Sequence, residues 1–340
     1  MIIRNFVFLV SMTLISLCAI GQGYSQEDSK TKWNFTGTVD VYGRLVLSEE
    51  HDQAPGTSFA NNPGFALGMF NGIFSYEGEK AGFVADLVYG PRGKEAVFNE
   101  TGSSNILNQL YVYANLSEKT TLTVGNFNTF LGYEVISPAG NFHYSTSYMF
   151  SYGPFSHAGV KLDYQPSDDF SIMAGVFNGT DFVDFNRDKV YTYGIQFGAY
   201  GQYLNYLGGN DFIHFDFTGG IPISESFNLG VNATLYRFSA DDEQSDFTGL
   251  ALYPQYDFSD AASLGFRVEF FDETGEATGV FESEEATNIS YTATGSFSVD
   301  DLTIKPELRF DKASEPIFAG GNDSETDSLF SVLVALVYSF

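Results

Sequence analysis

The sequence predicts an all-β fold: a transmembrane antiparallel up-and-down β-barrel of about sixteen strands, within a range of about fourteen to eighteen. Three observations carry this. The chain ends in Ser328 to Phe340, SLFSVLVALVYSF, where one alternating set (Phe330, Val332, Val334, Leu336, Tyr338, Phe340) is wholly apolar. Period two means strand, and an outward face this apolar invites aggregation in water but is required in a bilayer. Short and long polar connections then alternate between the apolar runs along the chain. Finally, aromatics make up 17% of residues and glycines number 35, yet the mean hydropathy is only −0.07. Strands with one lipid face and one wet face average out in this way.

The first strand sets Trp33, Phe35, Val39, Val41, Leu45 and Leu47 against Asn34, Thr36, Thr38, Asp40, Tyr42 and Arg44. A long polar loop through Pro63 leads to a strand over Phe65 to Tyr76, and the tight link Glu77 to Lys80 returns the chain as Ala81 to Gly90. The pattern repeats: a long loop at Pro91 to Ser104, a strand at Ile106 to Leu116, the turn Ser117 to Lys119, and a strand at Thr121 to Phe130. After the longest interruption come Ser156 to Tyr164, the turn Pro166 to Asp169, and Phe170 to Phe177. Asn178 to Asp188 is again a long loop. Tyr191 to Leu207 resembles one strand, but a single crossing there would put every later turn on the wrong side. A tight turn at Gly198 to Gly201 divides it into Val190 to Phe197 and Gln202 to Leu207 and restores the parity. The remaining strands are Asp211 to Thr218, Phe227 to Phe238, Phe247 to Tyr256, Ser263 to Phe271, Asn288 to Phe297, Leu302 to Asp311 and Ser328 to Phe340. An even count puts both ends on the periplasmic side, with short turns there and long loops outside.

Residues 1–25 read as a cleaved signal peptide: Arg4 near the start, an apolar run from Phe6 to Ile20 too short to span, and small residues Gly23 and Ser25 before Gln26. Cys18, the single cysteine, raises a lipoprotein reading, but Leu17 stands where a small residue precedes a lipidated cysteine. Residues 26–340 are then one barrel domain, free of thiols and needing no disulfide. The formal net charge of −27 makes nucleic acid a poor partner. The acids cluster between apolar runs, at Glu49, Glu50 and Asp52, at Asp241 to Asp246, at Asp272 to Glu285 and at Asp323 to Asp327, mainly as solvated loop charge.

Period two also names the inward charges: Asp40, Arg44, Asp86, Lys161, Asp163, His214, Asp216, Arg267, Glu269, Lys305, Glu307 and Arg309. Both signs line the lumen, and they need water or pairing, with Arg267 and Glu269 as an example of a pair neutralising each other across neighbouring strands. A barrel of this size is wide enough for an aqueous channel. The longest interruption, LGYEVISPAGNFHYSTSYMFSYGPF between Phe130 and Ser156, is the third outer loop. A long aromatic loop is seldom left idle in solvent. By analogy with general porins it folds inward as a constriction, with Glu134, Asn141, His143, Tyr144, Ser145 and Tyr148 as its candidate residues.

Two resemblances sharpen the reading. The terminal Phe340, with an aromatic two residues earlier, resembles the C-terminal signature of bacterial outer-membrane barrels, which implies recognition by the outer-membrane assembly machinery. The run Gly125-Asn126-Phe127, Gly132-Tyr133-Glu134-Val135, Asn141, Tyr144-Ser145, Ser147-Tyr148 and Pro154 to Gly159, with the split at Gly198 to Gly201 and Leu204-Asn205-Tyr206, resembles the OmpL-like β-barrel porins of Bacteroidota outer membranes. The likeness covers most of the mature chain and implies a pore in the bacterial outer membrane, among lipid and lipopolysaccharide, with no catalytic residues to carry over. A homo-oligomer stays open.

The expected function is a passive diffusion channel for ions and small hydrophilic solutes. The alternative is a plugged structural or adhesive barrel without transport. A remote alternative is a phospholipase-like enzyme, because His143-Tyr144-Ser145 has His-x-Ser spacing, although Thr146-Ser147 stands where Asn-Gly is expected. No zinc spacing, phosphate loop or dinucleotide fingerprint occurs, so neither metal nor cofactor is expected.

Overall fold

A computed structural model describes residues 32–48, 57–98, 102–183, 186, 189–240, 243–275, 285–319 and 325–340. The signal-peptide segment and most of the acidic loop clusters lie outside these residues. Sixteen strands hydrogen-bond in chain order, each antiparallel to its neighbours, and close on themselves. They are β1 (Lys32–Val46), β2 (Gly64–Glu77), β3 (Ala81–Tyr89), β4 (Leu107–Ser117), β5 (Thr120–Asn128), β6 (Ser156–Ser167), β7 (Phe170–Phe177) and β8 (Thr192–Ala199) in the first half. The second half runs β9 (Gln202–Gly208), β10 (Phe212–Pro222), β11 (Phe227–Ala240), β12 (Glu243–Ser259), β13 (Ala262–Thr274), β14 (Glu285–Val299), β15 (Leu302–Ala313) and β18 (Ser328–Ser339). Two short pieces, β16 (Phe318–Ala319) and β17 (Glu325–Thr326), pair with each other between β15 and β18 and stay out of the barrel wall.

The turn at residues 198–201 forms as the parity argument requires. Tyr200 and Gly201 take φ of 53° and 78°, the left-handed pair a two-residue type I′ hairpin needs, and Gly201 adopts it without a Cβ penalty. Without that glycine β8 and β9 would tend to run on as one strand.

Alternation sorts the side chains as the pattern demands. On β1 Thr38, Asp40, Tyr42 and Arg44 are buried inside, while Trp33, Phe35, Val39, Val41 and Leu45 are exposed on the outside. Rings gather at the periplasmic rim, with Trp33 4.7 Å from Tyr76 and 5.3 Å from Phe74, where amphipathic aromatics favour the membrane interface.

Closure happens between β1 and β18, from Thr38 opposite Ser339 to Val46 opposite Ser331. The seam ends in a reciprocal pair of bonds, Gly37 N to Phe340 O at 2.9 Å and Phe340 N to Gly37 O at 3.0 Å. The Phe340 ring rests against Phe35 at 5.6 Å and Phe70 at 6.2 Å. Position 37 is glycine for space: a Cβ there would strike the Asn71 carbonyl oxygen and come 2.8 Å from the Phe340 ring.

The structure departs from the sequence reading in two places. Residues expected as plain loop after β3 carry a short helix, α1 (Pro91–Ala96), with proline in its first turn, and a 3₁₀ turn at Gly102–Ile106. The strands of the second half also overrun the apolar patterns that announce them, β12 extending from Glu243 where the pattern begins at Phe247. Period-two hydropathy marks only the stretch that meets lipid, about 9–11 residues. The ladder continues above the membrane, where both faces are wet.

Replacing Phe340 with Ala removes both ring contacts at the seam. The folded barrel should lose about 1–3 kcal/mol, at roughly 0.5–1.5 per aromatic pair, read as a lower urea midpoint for the heat-modifiable folded band on gels. An unchanged midpoint would mean that the seam is held by its ladder alone.

Candidate functional site: a loop clasped inside the barrel

The chain between β5 and β6, residues 129–155, turns into the barrel. Its neck is pinned where Thr129 N donates to Phe155 O at 2.9 Å. Phe130 then packs on His157 and Phe177, with ring centroids 5.1 and 5.9 Å away. Tyr133 stacks on Tyr253 of β12 at 4.3 Å, and Phe142 reaches Gly265 of β13, close to the periplasmic end of that strand. A single helical turn, α2 (Tyr148–Tyr152), begins the way back, its cap Ser147 accepting a bond from Phe150 N at 3.1 Å.

Many polar groups of this loop are answered by the wall. Asp216 accepts from Gly132 N at 2.9 Å. Glu307 accepts from Tyr144 N at 2.8 Å and Ser145 N at 3.2 Å. Glu269 takes the first two N–H groups of α2, Tyr148 and Met149, at 2.9 Å each, the donors a helix start leaves unpaired. Asp40 accepts from the Tyr144 hydroxyl at 2.5 Å. The wall's cations hold loop carbonyls: Lys305 donates to Pro138 O and Asn141 O, Arg267 to Ser145 O and Thr146 O, and Arg309 to Thr146 O. Within the loop, Asn141 braces Val135 from both ends of its amide, at 2.8 and 2.6 Å.

One ion pair sits at the centre. Arg267 Nη1 lies 2.5 Å from Glu134 Oε1, with the arginine fully buried, while Glu134 Oε2 accepts from both N and Oγ of Ser147. Arg309 pairs with Asp311 on its own strand at 2.9 Å. From above, Arg92 of α1 inserts between the rings of Phe59 and Tyr144, 4.6 Å from each centroid, and donates to Ile136 O and Tyr144 O. In the outer connection after β7, Asp181 accepts from Phe155 N and Ser156 N at 2.7 and 2.8 Å, and burial pushes its carboxyl up to about 7.

The six loop residues singled out from sequence (Glu134, Asn141, His143, Tyr144, Ser145 and Tyr148) are therefore all inside the barrel and buried. Of the inward charges, Asp40, Asp216, Arg267, Glu269, Lys305, Glu307 and Arg309 meet the loop. The others do not. Asp86 is caged by amides of Asn71, Asn108 and Gln109. His214 bonds Thr234 at 2.7 Å, Arg44 donates to Asn61 O at 2.8 Å, and Lys161 pairs with Asp163 at 3.1 Å in the half-exposed periplasmic part of the lumen.

Arg267 and Glu269 stand on the same strand, β13, rather than across neighbouring strands, and make no direct ion pair; each bonds the loop. The wall charges of the midsection are buried against the loop. The His143-x-Ser145 spacing gives no dyad, since His143 Nδ1 bonds Thr294 Oγ1 at 2.7 Å and Ser145 Oγ faces Arg267.

Sequence reasoning missed Arg92 and Asp311. Asp311 continues the parity of Glu307 and Arg309 by one step and was within reach of the pattern. Arg92 sits on a six-residue helix with no periodic signal at all.

A closed sixteen-strand barrel with an inward third outer loop defines a porin-type protein of the bacterial outer membrane. The family model described as "Putative beta-barrel porin-2, OmpL-like" matches residues 32–340, and the chain belongs to that family. No curated protein matches. Among solved structures it is similar to the trimer form of OmpT from Vibrio cholerae, with TM-score 0.62, 10% identity, and 92% of this chain and 100% of that one covered. It is similar also to the outer membrane channel DcaP of Acinetobacter baumannii, with TM-score 0.59, 11% identity, and 93% and 99% covered. An anion-selective porin from Comamonas acidovorans aligns with TM-score 0.57, 10% identity, and 91% and 100% covered. At such identities these likenesses concern the fold.

Substituting Glu134 with Ala strands the Arg267 guanidinium without its ion partner. We expect a loss of about 3–5 kcal/mol, the usual cost of breaking a buried pair from one side, measured by urea denaturation. A loss below about 1 kcal/mol would mean that Arg267 finds another partner.

Proposed function

We propose that this porin-family barrel is a passive diffusion channel of narrow bore for ions and small hydrophilic solutes, its bore set by the third outer loop. The constriction consists of Glu134, Asn141, His143, Tyr144, Ser145 and Tyr148 facing the wall charges Asp40, Arg267, Glu269, Lys305, Glu307 and Arg309. The manner of anchorage carries this reading. The loop is held to the wall mainly through carboxylates and cations, and each such contact can be exchanged for a water-mediated one. A barrel meant only to be sealed would be as stable, or more so, with apolar side chains at those positions. Lys161 and Asp163 then line the wetter periplasmic approach.

Deleting Ser137 to Ser151 should enlarge single-channel conductance in planar bilayers several-fold. Conductance equal to that of the intact protein would place the conducting path elsewhere or nowhere. The many acids of the outer connections motivate a weak cation preference. A reversal potential of anion-selective sign across a salt gradient would sink that part of the reading.

A second reading is favoured by one observation, the filled midsection: a plugged barrel whose acidic outer loops serve adhesion or envelope anchoring. Liposome swelling separates the two, because uptake of small sugars supports a channel and its absence supports the plug. In either case the expected surroundings are outer-membrane lipid and lipopolysaccharide, with the C-terminal strand as the segment read by the assembly machinery. V. cholerae OmpT is described in a trimer form, and a homo-oligomer suits this chain as well.

A further inference from the structure

A small cavity of ≈ 10 Å³ remains between the loop and the outer ends of β1, β15 and β18, lined in part by Arg44, Asn61, Ser145, Glu307, Arg309 and Ser331. Arg44 is the unusual member. Its side chain is 3% exposed, on a wall whose other face meets lipid, and among the described residues its single hydrogen bond goes to Asn61 O. Among the described residues no carboxylate lies within ion-pair distance of it; Asp311 and Glu307 attract it only from farther off. Each of the other buried cations has an answering group: Arg309 has Asp311, Arg267 has Glu134, Arg92 has Asp40 at 3.8 Å, and Lys305 has two loop carbonyls. The acid in the cavity lining is engaged elsewhere, since Glu307 accepts from Tyr144 N, Ser145 N and Thr294 Oγ1.

A buried charge needs a partner or water. We propose that this cavity binds one small monovalent anion of about chloride size, with the Arg44 guanidinium as its charge partner and the hydroxyls of Ser145 and Ser331 as further donors. The space takes a particle of about one water's size, which suits a monatomic anion better than phosphate, sulfate or an organic carboxylate. Asn61 belongs to the first outer connection and Ser145 to the third, and both line the cavity opposite the wall. The anion is thus a fixed counter-ion that ties two outer loops to β1, distinct from any permeant ion, and the proposal stands whether or not the barrel conducts.

Bromide can report on the site directly. Crystals of the mature protein soaked in sodium bromide should give an anomalous peak in contact with Arg44, absent from Arg44→Gln crystals. No peak in the wild type, or a peak that persists in R44Q, would overturn the proposal. In parallel, the wild type should melt at a higher temperature in sodium chloride than in sodium gluconate at equal ionic strength, and R44Q at the same temperature in both. Equal melting of the wild type in the two salts counts against the site. Should R44Q not fold, Ser331→Leu, which fills the cavity and keeps Arg44, should likewise abolish the bromide peak; a retained peak would overturn the assignment.

Discussion

In hydrocarbon no water is present to satisfy a backbone amide, so a chain crossing the membrane as strands must pair every edge with another. The whole molecule follows from that requirement. Fifteen of the sixteen neighbouring contacts can be made between strands adjacent along the barrel chain, but the last has to join the first strand to the final one. That seam is why the chain ends on an aromatic packed against Phe35 and Phe70, and why position 37 carries no side chain. It also fixes parity. With both ends on one side, β1 and β18 dictate which face of every other strand meets lipid, and so which side chains are turned inward.

Closure creates a second problem, which the long loop resolves. A ring of sixteen strands encloses more space than the wall's own side chains can fill, and the inward set of this wall is rich in charge. Asp86, remote from the loop, shows the local solution: a carboxylate caged by three amide side chains from flanking strands. Asp216 is treated in the same way by Asn205 and Asn232, with the Gly132 amide of the loop as an additional donor. Around β13, β15 and β1 the wall supplies too few amides, and the peptide groups of the loop take their place. The loop and the wall thus complete each other: wall acids take loop N–H groups, and wall cations take loop carbonyls.

The fold was legible because its rule is short. Period two, connection length and an even count located all sixteen crossings, including the division at Gly201 that no hydropathy pattern marks. Much of the loop was legible for the same reason, since a long aromatic segment placed third along the outer rim has few destinations. The contacts were not. Neutralisation across neighbouring strands was the expectation for Arg267 with Glu269, but the two are alternate residues of one strand, side by side on one face, each free to reach into the lumen, and a loop entering from above competes for both. Glu134 was among the loop residues expected to face inward, yet nothing in the sequence ties it to a residue 133 positions away. Arg92 escaped entirely, because its helix is too short to show a period.

Whether such an assembly is a plug or a gate depends on what holds it. Apolar anchorage is strongly favoured against water and does not readily let go. Polar anchorage is different, because a hydrogen bond inside protein replaces one to water and the net gain per bond is only about 0.5–1.5 kcal/mol. A loop held by a dozen such bonds can be stable on average while individual clasps exchange with solvent from the periplasmic side, where Lys161 and Asp163 are already partly wet. Glu134 with Arg267 is the exception, since neither charge can leave its partner without water to receive it. In the channel we propose, hydration at that pair is therefore the step on which passage through the barrel would turn, and the surrounding carboxylate clasps would set how far the loop yields once water has reached it.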